Sequence, residues 1–328
     1  MKKKALLALG SLATAAFVLT ACTDTGAPAP VPEASETGGG ELQTVRVAAL
    51  PITETGAIWA ADEAGIFADH GLDIEVIPAQ GGAQAIPALL SGDIDFAIGQ
   101  PFGTFRADLQ DLGVVMIGNY SPTFATGDDT SGVVALADSG IASPKDLAGK
   151  RVSVNSLGAA GDVTIMGAVE ADGGDPFAVQ FVEVAFPDAP AQLEAGNIDA
   201  AWVPNPFMSQ VVNAGGVLVT HPFQDTIPGL TTLTTITTET LVEEDPELVD
   251  AFAEAMKEAL TYANENPEAL QEAVVTAMDL PAEAAANILF PVYSFELKRS
   301  DLEALAEMGV KYKVLPELPD FDRIVQQH

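Results

Sequence analysis

The segment Leu89–Pro101 reads LLSGDIDFAIGQP, and Leu193–Asn205 reads LEAGNIDAAWVPN. Both carry the pattern Leu-x-x-Gly-(Asp/Asn)-Ile-Asp-x-Ala. A glycine after a short apolar helix supplies the positive-φ residue that stops it. Asp93 or Asn197 then turns the chain, and the isoleucine enters a buried strand. The repeat therefore reads as scaffold: the end of one helix and the start of one strand, written twice.

The flanks repeat as well. Before the first copy come the strand TVRVAAL, the loop PITETGA, a helix over AIWAADEAGIFADH closed by Gly71, the strand LDIEVIPA, the loop QGGAQ and the helix AIPALLS. Before the second come the strand KRVSVNS, the loop LGAAGDV, the helix DVTIMGAVEADGG, the strand VQFVEVAF, the loop PDAP and the helix AQLEAG. Arg46 and Arg151 open the two units at an offset of 105 residues, and Gly92 and Gly196 close their second helices at an offset of 104. Strand–helix–strand alternation predicts a parallel sheet wrapped by helices. Two such units predict two α/β lobes, since the period is far too long for a solenoid.

Two further segments link the lobes. SGVVALADSG, from Ser131, reads as a strand crossing out. GLTTLTTITTE, Gly229–Glu239, reads as a Thr-rich β-run on the far side of the second lobe that leads back. The first lobe is expected to comprise residues 44–130 and 233–328, and the second 131–232. From Pro246 the pattern is helical: PELVDAFAEAMKEALTYANENP, PEALQEAVVTAM, AEAAANILF and SDLEALAEMGV are amphipathic and are expected to brace the first lobe.

The N-terminus carries an address. MKKK is a positive n-region and ALLALGSLATAAFVL a short apolar stretch, followed by Leu19-Thr20-Ala21-Cys22 in the Leu-x-Ala-Cys form of a bacterial lipoprotein signal. Residues 1–21 are read as a cleaved leader. Cys22, the single cysteine, is read as the lipid-bearing first residue of the mature chain. Residues 22–43, rich in Pro, Gly, Ser and Thr, form a tether. The expected location is the outer face of the cytoplasmic membrane, or the periplasm.

The chain has 328 residues, with 14 basic against 47 acidic. Removing Lys2, Lys3 and Lys4 with the leader sharpens the imbalance, and so acidic a surface excludes nucleic acid as a partner. No enzyme constellation is present. His70, His221 and His328 lack metal-ligand spacing, and there is no Gly-x-Ser-x-Gly, phosphate loop or Cys/His pair. No cofactor or metal is expected.

A binding cleft is expected instead, because ligands of open α/β sheets lie beyond the carboxyl ends of the strands. The loops reaching it are Pro51–Gly56, Gln80–Ala83, Gly99–Phe102, Ser156–Ala160, Pro187–Ala189 and Trp202–Asn205. They nominate Thr53, Glu54, Thr55, Gly81, Gly82, Gln100, Ser156, Gly158, Ala159, Asp188 and Asn205. Trp59, Tyr120 and Trp202 are candidates to flank a flat ligand. Trp202 reads equally as pocket or core, and Trp59 more readily as core.

The run AxxAGIFADHGLDIEVIPAQGGAQAIPALLSGDIDFAIG resembles the first-lobe signature of ABC-transporter solute receptors of the nitrate/sulfonate/taurine type. That group includes receptors for the pyrimidine precursor of thiamine. IASPKDLAGKRVSVNSLG and AQLEAGNIDAAWVPNP resemble its second-lobe segments, and the likeness covers roughly Val45 to Pro267. It implies the type II periplasmic-binding fold, closure of two lobes on a small solute, and delivery to an ABC permease and ATPase. A monomer is expected.

The cleft loops hold no Lys or Arg but do hold Glu54 and Asp188, with Asp162 at the start of the following helix. Arg106 lies one helical turn beyond its loop. Burying carboxylates beside an anion is costly, so the solute is expected to be neutral or cationic, for example a nitrogen heterocycle. Two alternatives stand beside this: nitrate, taurine or an alkanesulfonate held by helix N-termini, and a sensory rather than a transport role. An enzyme is a third, since the same fold serves pyrimidine and menaquinone synthesis inside cells.

Overall fold

The computed structural model describes residues 42–79, 81–281 and 288–328. The leader, Cys22, nearly all of the tether, Gln80 and most of the expected helix AEAAANILF lie outside those residues.

The first half runs β1 (Gln43–Ala49), α1 (Gly56–Glu63), α2 (Ile66–Asp69), β2 (Leu72–Pro78), α3 (Gly82–Ser91), β3 (Phe96–Gly99), α4 (Pro101–Asp108) and β4 (Val114–Pro122). The chain then forms β5 (Ser131–Ala135), β6 (Arg151–Val154), α5 (Ala160–Ala171), β7 (Gln180–Glu183), α6 (Ala189–Glu194), β8 (Ala200–Pro204), α7 (Phe207–Asn213), β9 (Val217–Thr220) and α8 (Pro222–Thr226). It returns through β10 (Thr231–Thr238) to α9 (Glu239–Glu244), α10 (Pro246–Glu265), α11 (Pro267–Met278), α12 (Arg299–Lys311) and α13 (Phe321–Ile324). Two five-stranded sheets result, ordered β2-β1-β3-β10-β4 and β7-β6-β8-β5-β9.

The duplication is visible in the topology. β1 pairs parallel with β2 and β3, and β6 pairs parallel with β7 and β8. Each sheet then takes one antiparallel crossing strand, β10 beside β3 and β5 beside β8. The Thr-rich run is thus not on the far side of the second lobe. It is an interior strand of the first sheet, bonded on both edges to β3 and β4. Threonine suits that place because it is β-branched and its hydroxyl can bond a neighbouring carbonyl. Thr234 Oγ1 donates to Gly99 O at 3.1 Å and Thr237 Oγ1 to Asp95 O at 2.8 Å.

The repeated motif closes on itself in each lobe. Gly92 and Gly196 take φ of +73° and +69°, the left-handed conformation that ends the preceding helix. The motif's second acid then meets the arginine that opens the unit. Arg46 N and Nε donate to Asp95 Oδ2 at 2.8 and 3.2 Å, Nη2 to Asp95 Oδ1 at 3.0 Å and to Gly92 O at 2.9 Å. Arg151 makes the same set with Asp199 and Gly196, at 2.8, 3.1, 2.8 and 2.9 Å. Each clasp fixes where the third strand starts against the first.

The C-terminal helices pack mainly on the first lobe. Phe252 of α10 stacks on Phe96 with ring centroids 3.9 Å apart. α12 reaches both lobes: a Cβ on Gly309 would lie 2.9 Å from Phe102, while one on Gly167 of α5 would lie 2.6 Å from Met308. At its end Lys311 pairs with Glu170, and Tyr312 Oη donates to the same carboxylate at 2.6 Å.

The boundaries shift in two places that matter for the cleft. α3 begins at Gly82 rather than beyond the QGGAQ loop, and α5 begins at Ala160, which places Asp162 inside its first turn.

Because the clasps are structural, Asp95→Ala and Asp199→Ala should each lower the melting temperature by a few degrees. Solute affinity, measured by titration calorimetry on the same variants, should stay at the wild-type value.

Candidate functional site

The carboxyl ends of the parallel strands face one another across a slot. From the first lobe it is walled by Leu50, Ile52 and Glu54 after β1, Gly81 before α3, Gln100, Phe102 and Gly103 at the start of α4, and Thr232 and Leu233 of β10. The second lobe contributes Ser131, Asn155, Ser156, Ala159, Phe186, Trp202, Pro204 and Phe223. The empty space is about 560 Å³, yet only about 30 Å³ of it admits the centre of a water molecule. The slot is therefore narrow, its walls nearly in contact.

Glu54 decides the chemistry of this slot. It sits on a 3-10 turn, Thr53–Thr55, and is 6 % exposed. Burial pushes its carboxyl up to about 7, with the nearby Asp129 adding to the rise, while a hydrogen bond from the Thr130 hydroxyl works in the opposite direction. Among the described residues, no lysine or arginine walls the slot. A buried carboxylate with one hydroxyl partner retains oxygen lone pairs for further donors.

The turn that carries Glu54 is braced from three directions. Thr55 Oγ1 donates to Leu50 O at 2.6 Å and to Ile52 O at 2.8 Å. Tyr120 Oη, from β4, donates to Thr55 O at 2.8 Å and accepts from Ile58 N at 3.1 Å. Thr53 N and Oγ1 reach across to Asn205 O at 3.4 and 3.3 Å. Thr55 and Tyr120 thus hold the site from behind, and neither faces the slot. Tyr120 is fully buried and packs edge-on to Tyr293 at 5.7 Å.

Aromatic rings form the opposite wall. Trp202 lies between Phe186 and Phe223, at 5.4 and 5.2 Å and steeply inclined to both. The indole lies over α5 because residue 161 is glycine: a Cβ there would be 2.9 Å from Trp202 Cε3. Trp202 is 3 % exposed, and its Nε1–H has no acceptor among the described residues. A donor buried without a partner is unfavourable unless a ligand completes it.

Of the residues nominated by the sequence, Glu54, Gly81, Gln100, Ser156, Ala159 and Trp202 meet at the slot. Thr53 and Asn205 tie the two lobes together, and Asn205 Oδ1 also accepts from Ser209 Oγ at 2.7 Å at the start of α7. Gly82 opens α3. Gly158, at φ +69°, donates its N–H to Asp162 Oδ2 at 2.8 Å. Asp188 is exposed and borders a neighbouring groove, and Trp59 lies half-buried on α1 away from the slot. Phe102, Phe186 and Phe223 were not nominated. Phe102 ends a loop expected to reach the cleft and Phe186 ends the expected strand VQFVEVAF, but neither ring was singled out, and Phe223 follows Pro222 outside any predicted element.

Arg106 does not enter the slot. Its exposed guanidinium spans from α4 to the second lobe, where Nη1 donates to Leu157 O and Gly158 O at 3.4 and 3.3 Å. Close by, burial raises Asp162 to about 6 despite its backbone hydrogen bonds. Among the described residues, no group of three or more His, Cys, Asp or Glu side chains could hold a metal ion. No helix among them is long and apolar enough to cross a membrane.

Residues 52–270 match the family described as NMT1/THI5 like. A formylaminopyrimidine-binding protein of Halalkalibacterium halodurans is 25% identical over 225 residues, 68% of this chain and 66% of that protein. The match thus spans just under two thirds of that curated relative's length. Among solved structures, the alkanesulfonate-binding protein SsuA from Xanthomonas axonopodis pv. citri, bound to MOPS, superposes with a TM-score of 0.76. It is 16% identical, covering 88% of this chain and 100% of that one. The periplasmic nitrate-binding protein NrtA from Synechocystis PCC 6803 superposes with a TM-score of 0.71 at 15% identity, covering 87% of this chain and 86% of that one. The fold is that of periplasmic binding proteins, and these relatives are binding proteins.

Glu54 also predicts a pH dependence. Its carboxyl titrates near 4.5 when unfolded and near 7 when folded, so the folded state binds the proton more tightly. The stability this confers is complete below pH 4.5 and is lost as pH rises to about 7, a loss of roughly 3 kcal/mol. Denaturant unfolding of the ligand-free protein across this range should show the decline, and Glu54→Gln should remove most of it.

Proposed function

The chain belongs to the NMT1/THI5-like family, and on that footing we propose that it is an extracytoplasmic solute receptor for an ABC importer. Its two lobes take a small planar nitrogen heterocycle, neutral or cationic, and deliver it to a permease and ATPase. Residues 1–21 act as the export leader, Cys22 carries the lipid anchor and residues 22–43 form the tether. The first lobe comprises residues 44–130 together with the chain from β10 onward, and the second runs from Ser131 up to β10. The receptor works as a monomer, and it acts by capture and release rather than by turnover.

The observation that carries this reading is the buried Glu54 carboxylate in a slot walled by no basic side chain. An amino group or protonated ring nitrogen would donate to it, forming a charge-assisted bond in a low-dielectric site. A ring acceptor would meet the Trp202 Nε1–H, and the ring faces would lie against Phe and Trp side chains. A nitrate or sulfonate would instead lie beside a carboxylate, which disfavours it. A formylaminopyrimidine, the solute in the relative's name, has both the donor and the acceptor this arrangement asks for.

A thermal-shift panel tests the assignment. Ligands that bind only the folded state stabilise it by about 2.7 kcal/mol at a hundredfold excess over Kd. Aminopyrimidines and formylaminopyrimidine should raise the melting temperature, while taurine, alkanesulfonates and nitrate should not. The opposite pattern overturns the assignment. Glu54→Gln should weaken an amino-heterocycle by about tenfold or more, the loss of one charge-assisted hydrogen bond.

A further inference from the structure

A second hollow opens beside the slot, at the mouth of the cleft. Leu50, Ile52 and Phe186 wall both spaces, so the two adjoin. Pro78 closes the groove on the first lobe, and Ala185 and Phe207 close it on the second. Its walls are otherwise apolar apart from Asp188, which is exposed. The groove is the roomier of the two, with about 850 Å³ of empty space against about 560 Å³ in the slot. For a ring held between Glu54 and Trp202, a bulkier substituent would find more room in the groove than in the slot.

Resting on the reading of the slot given above, we propose that this groove is an annex that takes an uncharged alkyl or aryl substituent of the bound heterocycle. The solute is then a substituted ring rather than a bare one. Both lobes wall the groove, so a substituent lying there touches each of them and adds apolar contact to closure. The same geometry sets a limit on the substituent's far end. An anionic terminus would approach the carboxylate of Asp188, so the annex discriminates against acids.

The test is titration of the full chain with an aminopyrimidine and with its propyl derivatives, one for each free ring carbon. One derivative should bind about tenfold or more tighter than the parent, as expected for burying a short alkyl chain. The carboxyethyl analogue at that position should bind no tighter than the parent. Ala185→Phe, which puts a ring into the groove, should bring the favoured propyl derivative and the parent to equal affinity. Binding of the parent with no gain from any propyl isomer overturns the annex and leaves the slot assignment standing. A gain that the carboxyethyl analogue shares, or that Ala185→Phe leaves intact, overturns it as well. Failure of every ring to bind, with nitrate or sulfonate binding instead, overturns the slot assignment and the annex together.

Discussion

A carboxylate held out of water without a counter-charge is the constraint around which this cleft is built. Glu54 shares the slot with Leu50, Ile52 and Trp202, and among the described residues the Thr130 hydroxyl bonds it. Such a group is unfavourable in the empty protein. It persists because the turn beneath it is over-determined: Thr55, Tyr120 and Asn205 each fix one part of Thr53–Thr55. The bonds come from the loop itself, from the edge strand of the first sheet and from the second lobe. The site is therefore rigid on one side and lobe-dependent on the other.

That division recurs in the contacts between lobes. Arg106 crosses to the carbonyls of Leu157 and Gly158, and Lys311 and Tyr312 cross to Glu170. Arg106, Lys311 and Glu170 are exposed, and exposed charge contacts are worth little individually. The apolar walls of the slot and the groove are then the larger source of attraction between the lobes, and these are the surfaces a ligand would complete.

Much of this was legible in the residues alone. The glycine that ends each second helix, the acids of the repeat as scaffold and the two-lobed α/β plan follow from local rules of helix termination and strand patterning. Glu54 stood out because the loops around it hold no cation. What local rules do not report is which distant residue arrives. The arginine clasp joins Arg46 to Asp95 across 49 positions, and Tyr120 reaches Thr55 across 65. The Thr-rich run reads as a strand, but its placement between β3 and β4 depends on the whole sheet. Phe186 closes the expected strand VQFVEVAF but sits in a 3-10 turn beyond it, and Phe223 lies outside any predicted element. Trp202 reads equally as pocket or core, and it is both: fully packed between two rings, and a wall of the slot.

The position of β10 bears on the order in which the protein can be made. All strands of the second sheet lie between Ser131 and Thr220, so that sheet can pair as soon as this stretch is available. The first sheet cannot. β4 has no neighbour in it except β10, which ends at Thr238. The lobe that begins first in the chain is therefore completed last, after its partner has been inserted into it. Until then β3 and β4 present open edges, the kind of surface that pairs with other chains.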